Sequence, residues 1–335
     1  MIYPENLARW HEQHQEAPLD PAREITDPHH HLWPERLGST YELPQLWSDT
    51  QAGHNVTKTV FIECGSAYDR ASPEPMAPVA ETHYVEALAQ EAAQSPEKAQ
   101  IAGIVAHANL RLPPETLAQV LDAHATASPR FRGIRHAGAW DEERERIMFA
   151  GQPIPHLYLD PDFRRGVQAL GARGLTYDTW HFHPQNGEFL QLARACPETT
   201  IVLDHFGTPM GTVRFTGKRD DRFAEWQDEM EAIAECPNVI AKLGGLAMPV
   251  NGFGWDGRDM PPSSDELLDA QGKYYRHMLA VFGPERCMFE SNFPVDKLSV
   301  SYVTYWNAMK KLAADLPEAA QAALFSGTAN RVYRL

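Results

Sequence analysis

Basic runs are missing from this chain: lysine and arginine never cluster, and 45 acidic against 30 basic side chains give a formal charge of −15. Phosphate backbones and anionic membranes are bound through concentrated positive charge, so nucleic-acid and membrane partners are disfavoured relative to a small molecule. An anionic ligand would need local cations inside a pocket, and fifteen histidines provide material for one. Cysteine is also scarce. Cys64, Cys196, Cys236 and Cys287 are far apart and form no CxxC pair, which argues against a disulfide scaffold and for buried thiols. No run of about 20 apolar residues occurs. The N-terminal M-I-Y-P-E-N-L-A-R-W-H-E has no basic region leading into an apolar one. The expectation is therefore a cytoplasmic protein. A homo-oligomer is compatible with this composition.

What is present is ample apolar material: 43% hydrophobic and 22% charged residues over 335 positions. Residues 1–335 are expected to form one domain, since a barrel of about 250 residues with insertions accounts for the length. Eight short β-rich runs recur: Ile25–His31, Val56–Cys64, Ile101–His107, Phe131–His136, Leu175–His183, Thr200–His205, Val239–Leu243 and Cys287–Asn292. Between them lie helical spacings, among them Glu81–Ala93, Pro114–Ala125, Asp221–Ala234 and Asp265–Phe282. Such alternation predicts a parallel sheet. Eight units favour closure into an α/β (β/α)₈ TIM barrel, and no GxGxxG follows the first run as an open dinucleotide-binding sheet would require.

Polar side chains gather in or at the ends of these runs: His29, His31, Glu63, His107, Arg135, His136, His183, His205, Lys242 and Asn292. Barrel active sites occupy that face. Insertions at about 33–50 and 246–262 would lie on it as lids or specificity walls. His29 and His31, two apart on a strand, are expected to project together into the barrel, with His30 facing outward. Paired imidazoles can hold a metal or a substrate oxygen. For each polar residue taken alone, a structural role is the competing explanation. Arg132 could serve an ion pair, and Lys242 could be a buried charge paired to Glu63 or Glu290. His183 shares a strand face with His181, and only the one nearer the end should reach the pocket.

The segments D-P-H-H-H-L-W, F-R-G-I-R-H, V-L-D-H-F-G, F-E-S-N-F-P-V-D and the closing G-T-A-N-R-V-Y-R-L together resemble the amidohydrolase-related family. Its members include 2-pyrone-4,6-dicarboxylate lactonases, fuconolactonase-type sugar lactonases and sulfomuconolactone hydrolases. The resemblance implies an amidohydrolase-like barrel. It matches His29 and His31 to the first-strand histidine pair, His205 to the sixth-strand histidine, and Arg132 and Arg135 to arginines that hold substrate carboxylates. Arginine suits that task through its bidentate fork, and Arg135 lies nearer the strand end. Lys242 resembles a family lysine that could neutralise an oxyanion.

In the eighth strand the family's G-[ST]-D-W-P is replaced by Glu290, Ser291, Asn292, Phe293 and Pro294. An amide cannot act as the aspartate's general base. Strand periodicity aims Glu290 the same way as Asn292, one layer deeper, so Glu290 is expected to supply the carboxylate while Asn292 orients water or substrate. Asp296 is a further candidate.

The expected activity is hydrolysis of a lactone or similar cyclic ester. His29, His31, His205, Glu290 and Asn292 form the catalytic set, and Arg135, His183, Lys242, Glu63 and Arg132 bind substrate. Zinc or another divalent metal could sit on His29, His31 and His205, but a metal-free mechanism is slightly favoured because the usual carboxylate ligand is absent. Two rival readings are a metal-dependent decarboxylase of the same superfamily and an inactive binding barrel.

Overall fold

The computed structural model describes residues 7–36, 38–147 and 154–335. The first six positions of the N-terminal segment lie outside the described residues. Eight parallel strands form one sheet: β1 Glu24–His30, β2 Asn55–Ile62, β3 Gln100–Ala106, β4 Phe131–Arg135, β5 Thr176–Thr179, β6 Ile201–Leu203, β7 Val239–Leu243 and β8 Cys287–Phe289. Each pairs with its successor. Beyond β8 the chain returns to β1: Phe293 bridges His30 in parallel, and His31 N–H donates to the Phe293 carbonyl at 2.9 Å. The result is a nearly closed barrel surrounded by helices.

Helices fill the connections where apolar spacing predicts them: Val79–Ala92, Pro114–Ala127, Arg219–Ala234 and Ser264–Phe282. The last starts cleanly because the Ser263 side chain accepts from the N–H of Glu266, satisfying a donor that the helix cannot. The 33–50 insertion is more ordered than a bare loop. It forms a hairpin, Trp33–Arg36 with Ser39–Tyr41, followed by the helix Leu43–Thr50. The 246–262 insertion contains only short turns, at Pro249–Asn251 and Trp255–Gly257. Three of the cysteines are buried as expected, whereas Cys64 is half-buried.

Strand parity sorts the core. Leu203, Ala241 and Phe289 pack outward among the helices. Their neighbours Val202, Ile240 and Met288 point inward and meet Val60, Ile62 and Val105 along the axis. Strands buried on both faces read as nearly continuous apolar runs. The next inward positions, one layer closer to the catalytic face, are Asp204, Lys242 and Glu290. The barrel interior thus changes from hydrocarbon to charge within two residues.

Several strands are shorter than their β-rich runs. His205, Phe206 and Asn292 have φ of 56°, 61° and 55°, a left-handed conformation that ends β pairing. His183 lies in a short turn, His183–Gln185, four residues beyond the last residue of β5. These departures determine which side chains reach the centre.

Candidate active site

Glu290 is the hub. Its Oε1 lies 2.7 Å from His205 Nδ1 and its Oε2 lies 2.6 Å from His29 Nδ1. The first contact is an aligned hydrogen bond. The second has ion-pair distance but poor alignment, so His29 Nδ1 and Glu290 Oε2 carry no hydrogen bond. The two imidazoles stand 4.5 Å apart between ring centroids. Two glycines make this approach possible. A Cβ on Gly244 would overlap the Glu290 carbonyl oxygen, and one on Gly245, whose φ is +75°, would overlap His205 Nδ1.

Arg135 closes one side of the centre. Its Nη1 lies 3.4 Å from His29 Nε2, and its Nε donates to Glu63 Oε1 at 2.8 Å. Asp204 Oδ2 is 3.8 Å from Arg135 Nη1 and 3.9 Å from His29 Nδ1, while Asp204 Oδ1 is 3.3 Å from Lys242 Nζ. Lys242 is held more tightly by Asp178, at 2.9 Å. None of His29, Asp178, Asp204, Lys242 and Glu290 has any exposed surface.

Burial controls the protonation of this group. Desolvation raises the Glu290 carboxyl to about 8, aided by the charges of Asp27 and Asp178 and opposed by Lys242 and Arg135. Asp204 is raised for the same first reason, against the pull of Lys242 and His205. Desolvation lowers His205 to about 3, and lowers His29 well below the usual imidazole value with help from Lys242. The buried carboxylates outnumber Lys242 and Arg135, so the centre favours retained protons or an added cation.

A divalent cation fits the residues present. His29, Asp204 and His205 each offer a ligand atom within 4.8 Å of the others, and all three are buried. Neither oxygen of Asp204 has a hydrogen-bond donor, which is costly for a buried carboxylate unless another charge compensates it. Imidazole nitrogens and a carboxylate oxygen are zinc-type donors. His31 is not in this group, although it was expected there. Its Nδ1 contacts the Ile62 carbonyl at 2.8 Å, and its ring stands 5.1 Å from that of His29.

Other expected site residues are placed differently. Asn292 does not share the direction of Glu290: the left-handed turn aims its amide at Asp296 Oδ1, to which it donates at 2.8 Å. Asp296 is thereby engaged, its other oxygen accepting from Ala247 N–H at 3.2 Å. Arg132 sits at the opposite end of β4 from Arg135 and donates to the Pro129 and Phe131 carbonyls, so it is not brought to the centre. His183 accepts from Met210 N–H at 3.1 Å and packs on Phe215, within an apolar layer that includes Phe182, Met248 and Val295. Glu63 and Lys242 are occupied by Arg135 and by the two aspartates. His181 turns outward to Asn186 and Phe189. As expected, His30 faces outward and packs against Phe61.

Asp178 and Asp204 were not anticipated. Both follow from the period-two rule once parity is set by Tyr177 and Leu203, which pack outward. Extending β6 to His205 hid Asp204, because one flat strand cannot aim both residues inward. The turn at His205 permits it.

The amidohydrolase family model matches residues 26–335. A protein from Sinorhizobium fredii, uncharacterized protein y4mH, is 30% identical over 333 residues, covering 93% of this chain and 98% of its own length. L-fucono-1,5-lactonase from Burkholderia multivorans is 30% identical over 247 residues, covering 71% of this chain and 73% of its own. Crystal structures of a Burkholderia multivorans amidohydrolase superpose with a TM-score of 0.72 over 93% of this chain and all of that one. The form with bound HEPES is 26% identical and the form with bound zinc 25%. With a family model spanning the barrel from its first strand to its last residue, and a relative matched almost end to end, the chain belongs to the amidohydrolase family.

Proposed function

We propose that the protein hydrolyses a lactone or similar cyclic ester of a small polar or acidic substrate. The observation that carries this reading is the buried coupling of Glu290 to both imidazoles beside the Arg135 guanidinium. The relative named L-fucono-1,5-lactonase points the same way.

In this mechanism His205 is the general base. Ionised Glu290, the form favoured above about pH 8, accepts from its Nδ1–H, which fixes the tautomer, leaves Nε2 to take a proton from water, and stabilises the imidazolium that forms. His29 and Arg135 face the carbonyl oxygen, where negative charge develops, and a preorganised cation in a dry site is effective there. The water oxygen bonds to the carbonyl carbon, the ring C–O bond breaks, and the His205 proton passes to the departing alkoxide. The product is an open hydroxy acid. Glu63 and Lys242 act at one remove, by holding Arg135 and Asp204.

His29, Asp204 and His205 would hold zinc or another divalent cation; His205 Nε2 would then be a ligand, and its role as base belongs to the cation-free centre. Such an ion, when bound, polarises a carbonyl and lowers the pKa of water.

The test is acid release from a panel of sugar lactones, muconolactones and pyrone dicarboxylates, by protein loaded with zinc and by protein treated with chelator. Turnover of any member supports the reading, and the chelated arm decides whether the chemistry needs the cation. Failure across the panel in both arms overturns it.

A further inference from the structure

The C-terminal helix, Thr328–Tyr333, closes the N-terminal end of the barrel. Ala329 and Val332 pack against the inward residues Val60, Ile62, Val105, Val202, Ile240 and Met288. A plug of this kind needs only hydrocarbon. Tyr333 brings a hydroxyl, and that hydroxyl donates to Asp178 Oδ2.

The contact joins a chain of buried groups running up the barrel axis. The same Asp178 oxygen accepts from Lys242 Nζ at 2.9 Å, and Asp178 Oδ1 accepts from the Thr176 hydroxyl at 2.8 Å. The space for Thr176 exists because residue 133, in R-G-I-R, is glycine: a Cβ there would overlap Thr176 Oγ1. Lys242 Nζ reaches Asp204 Oδ1 at 3.3 Å, and Asp204 Oδ2 faces His29 and Arg135. Tyr333, Asp178, Lys242 and Asp204 are all fully buried, so water cannot replace a lost donor.

We infer that Tyr333 is a positioning residue of the active centre, and that the chain's last helix sets the geometry of Asp204 through Asp178 and Lys242. This rests on the reading of the centre given under the proposed function. Lys242 divides itself between two carboxylates. Tyr333 and Thr176 satisfy Asp178 from the other sides, which lets the ammonium remain within reach of Asp204. Without the hydroxyl, Asp178 draws Lys242 toward itself, Asp204 loses its fixed cation, and the carboxylate swings relative to His29.

Tyr333→Phe removes the donor and keeps the ring in the plug. The expected result is a fall in kcat of roughly 10- to 100-fold, the range for outer-shell partners, with KM changed less than about twofold because no substrate contact is lost. A second readout is independent of turnover: the side-chain ¹⁵N signals of His29 and His205 shift in Tyr333→Phe, while those of His124 and His181 do not. Val332→Ala, which weakens the plug without touching the polar chain, is the structural control. It lowers the melting temperature and leaves the imidazole signals in place. If Tyr333→Phe does not fold, Thr176→Val removes another donor from the same carboxylate and gives the same signature.

Unchanged imidazole signals in a folded Tyr333→Phe, or in Thr176→Val, overturn the inference, as does a Val332→Ala variant that moves them equally. If the wild type hydrolyses no lactone, the proposed function fails separately, and the imidazole readout still decides the role of Tyr333.

Discussion

Glu290 Oε1 and His205 Nδ1 lie 2.7 Å apart with the carboxylate fully buried, so one carboxylate both fixes the imidazole's tautomer and neutralises the charge it gains. The partnership joins the ends of two strands far apart in sequence. It depends on the left-handed turn that swings His205 inward after β6. His29 stands 2.6 Å from the other oxygen without a hydrogen bond, so the loss of Glu290 would release the His205 ring and remove the nearest neighbour of His29.

Replacing Asn292 by the aspartate that the family resemblance implies at this position is expected to do harm. Asn292 donates to Asp296 Oδ1 at 2.8 Å, and burial already raises the Asp296 carboxyl well above its ordinary value. Asn292→Asp replaces that donor with a second buried carboxyl. The variant should lose about 1–3 kcal/mol of stability, the usual cost of an unsatisfied buried group, and gain no activity. Urea unfolding and turnover measured together check this; a faster enzyme of unchanged stability would refute it.

Gly245→Ala is predicted to be severe for its size. The added methyl meets His205 Nδ1 and also demands a positive φ that alanine resists. Overpacking of this kind costs roughly 1–3 kcal/mol, and displacing the ring from Glu290 should lower kcat by at least about tenfold. Near-normal turnover in this variant would mean that His205 tolerates movement, contrary to a role as base.

Two buried histidines should withdraw stability as the medium is acidified from about pH 6.5 toward 4, against the opposite contribution of the raised Glu290 and Asp204 carboxyls. His124 and His181 are buried, and desolvation lowers each to about 4. His124 contacts the Thr82 hydroxyl and the His107 carbonyl, while His181 contacts Asn186 and Tyr158. Below its ordinary value near 6.5 each ring is protonated in the unfolded chain but stays neutral in the fold, so protons favour unfolding. The full effect is about 3 kcal/mol for each ring, reached near pH 4. Unfolding free energies at a series of pH values should fall less steeply toward acid in His124→Gln than in the wild type; parallel profiles would contradict it.

Much of this architecture is legible in the sequence. The β-rich runs place all eight strands, and the four helical spacings fall on helices. Parity also aimed Glu290 inward, where the structure puts it against two histidines. Periodicity fails where the backbone leaves the β region. Asn292 and His205 both have positive φ, so the first turns away from the direction assigned to it and the second turns in beside Asp204. Nothing local to Tyr333 announces its hydroxyl's destination, because its partner Asp178 lies 155 positions earlier in the chain. Arg132 and Arg135 have the same chemistry in one motif. Only their positions along β4 separate a strand-start residue bonded to backbone carbonyls from one beside His29.

The most direct measurement is turnover of the best lactone by wild type and Glu290→Gln side by side, with melting temperatures recorded for both. Glutamine keeps the shape and removes the capacity to ionise. The account predicts a folded variant whose kcat is lower by roughly 10²- to 10⁴-fold, the contribution expected of general-base catalysis. A folded Glu290→Gln protein that turns over at close to the wild-type rate would contradict it.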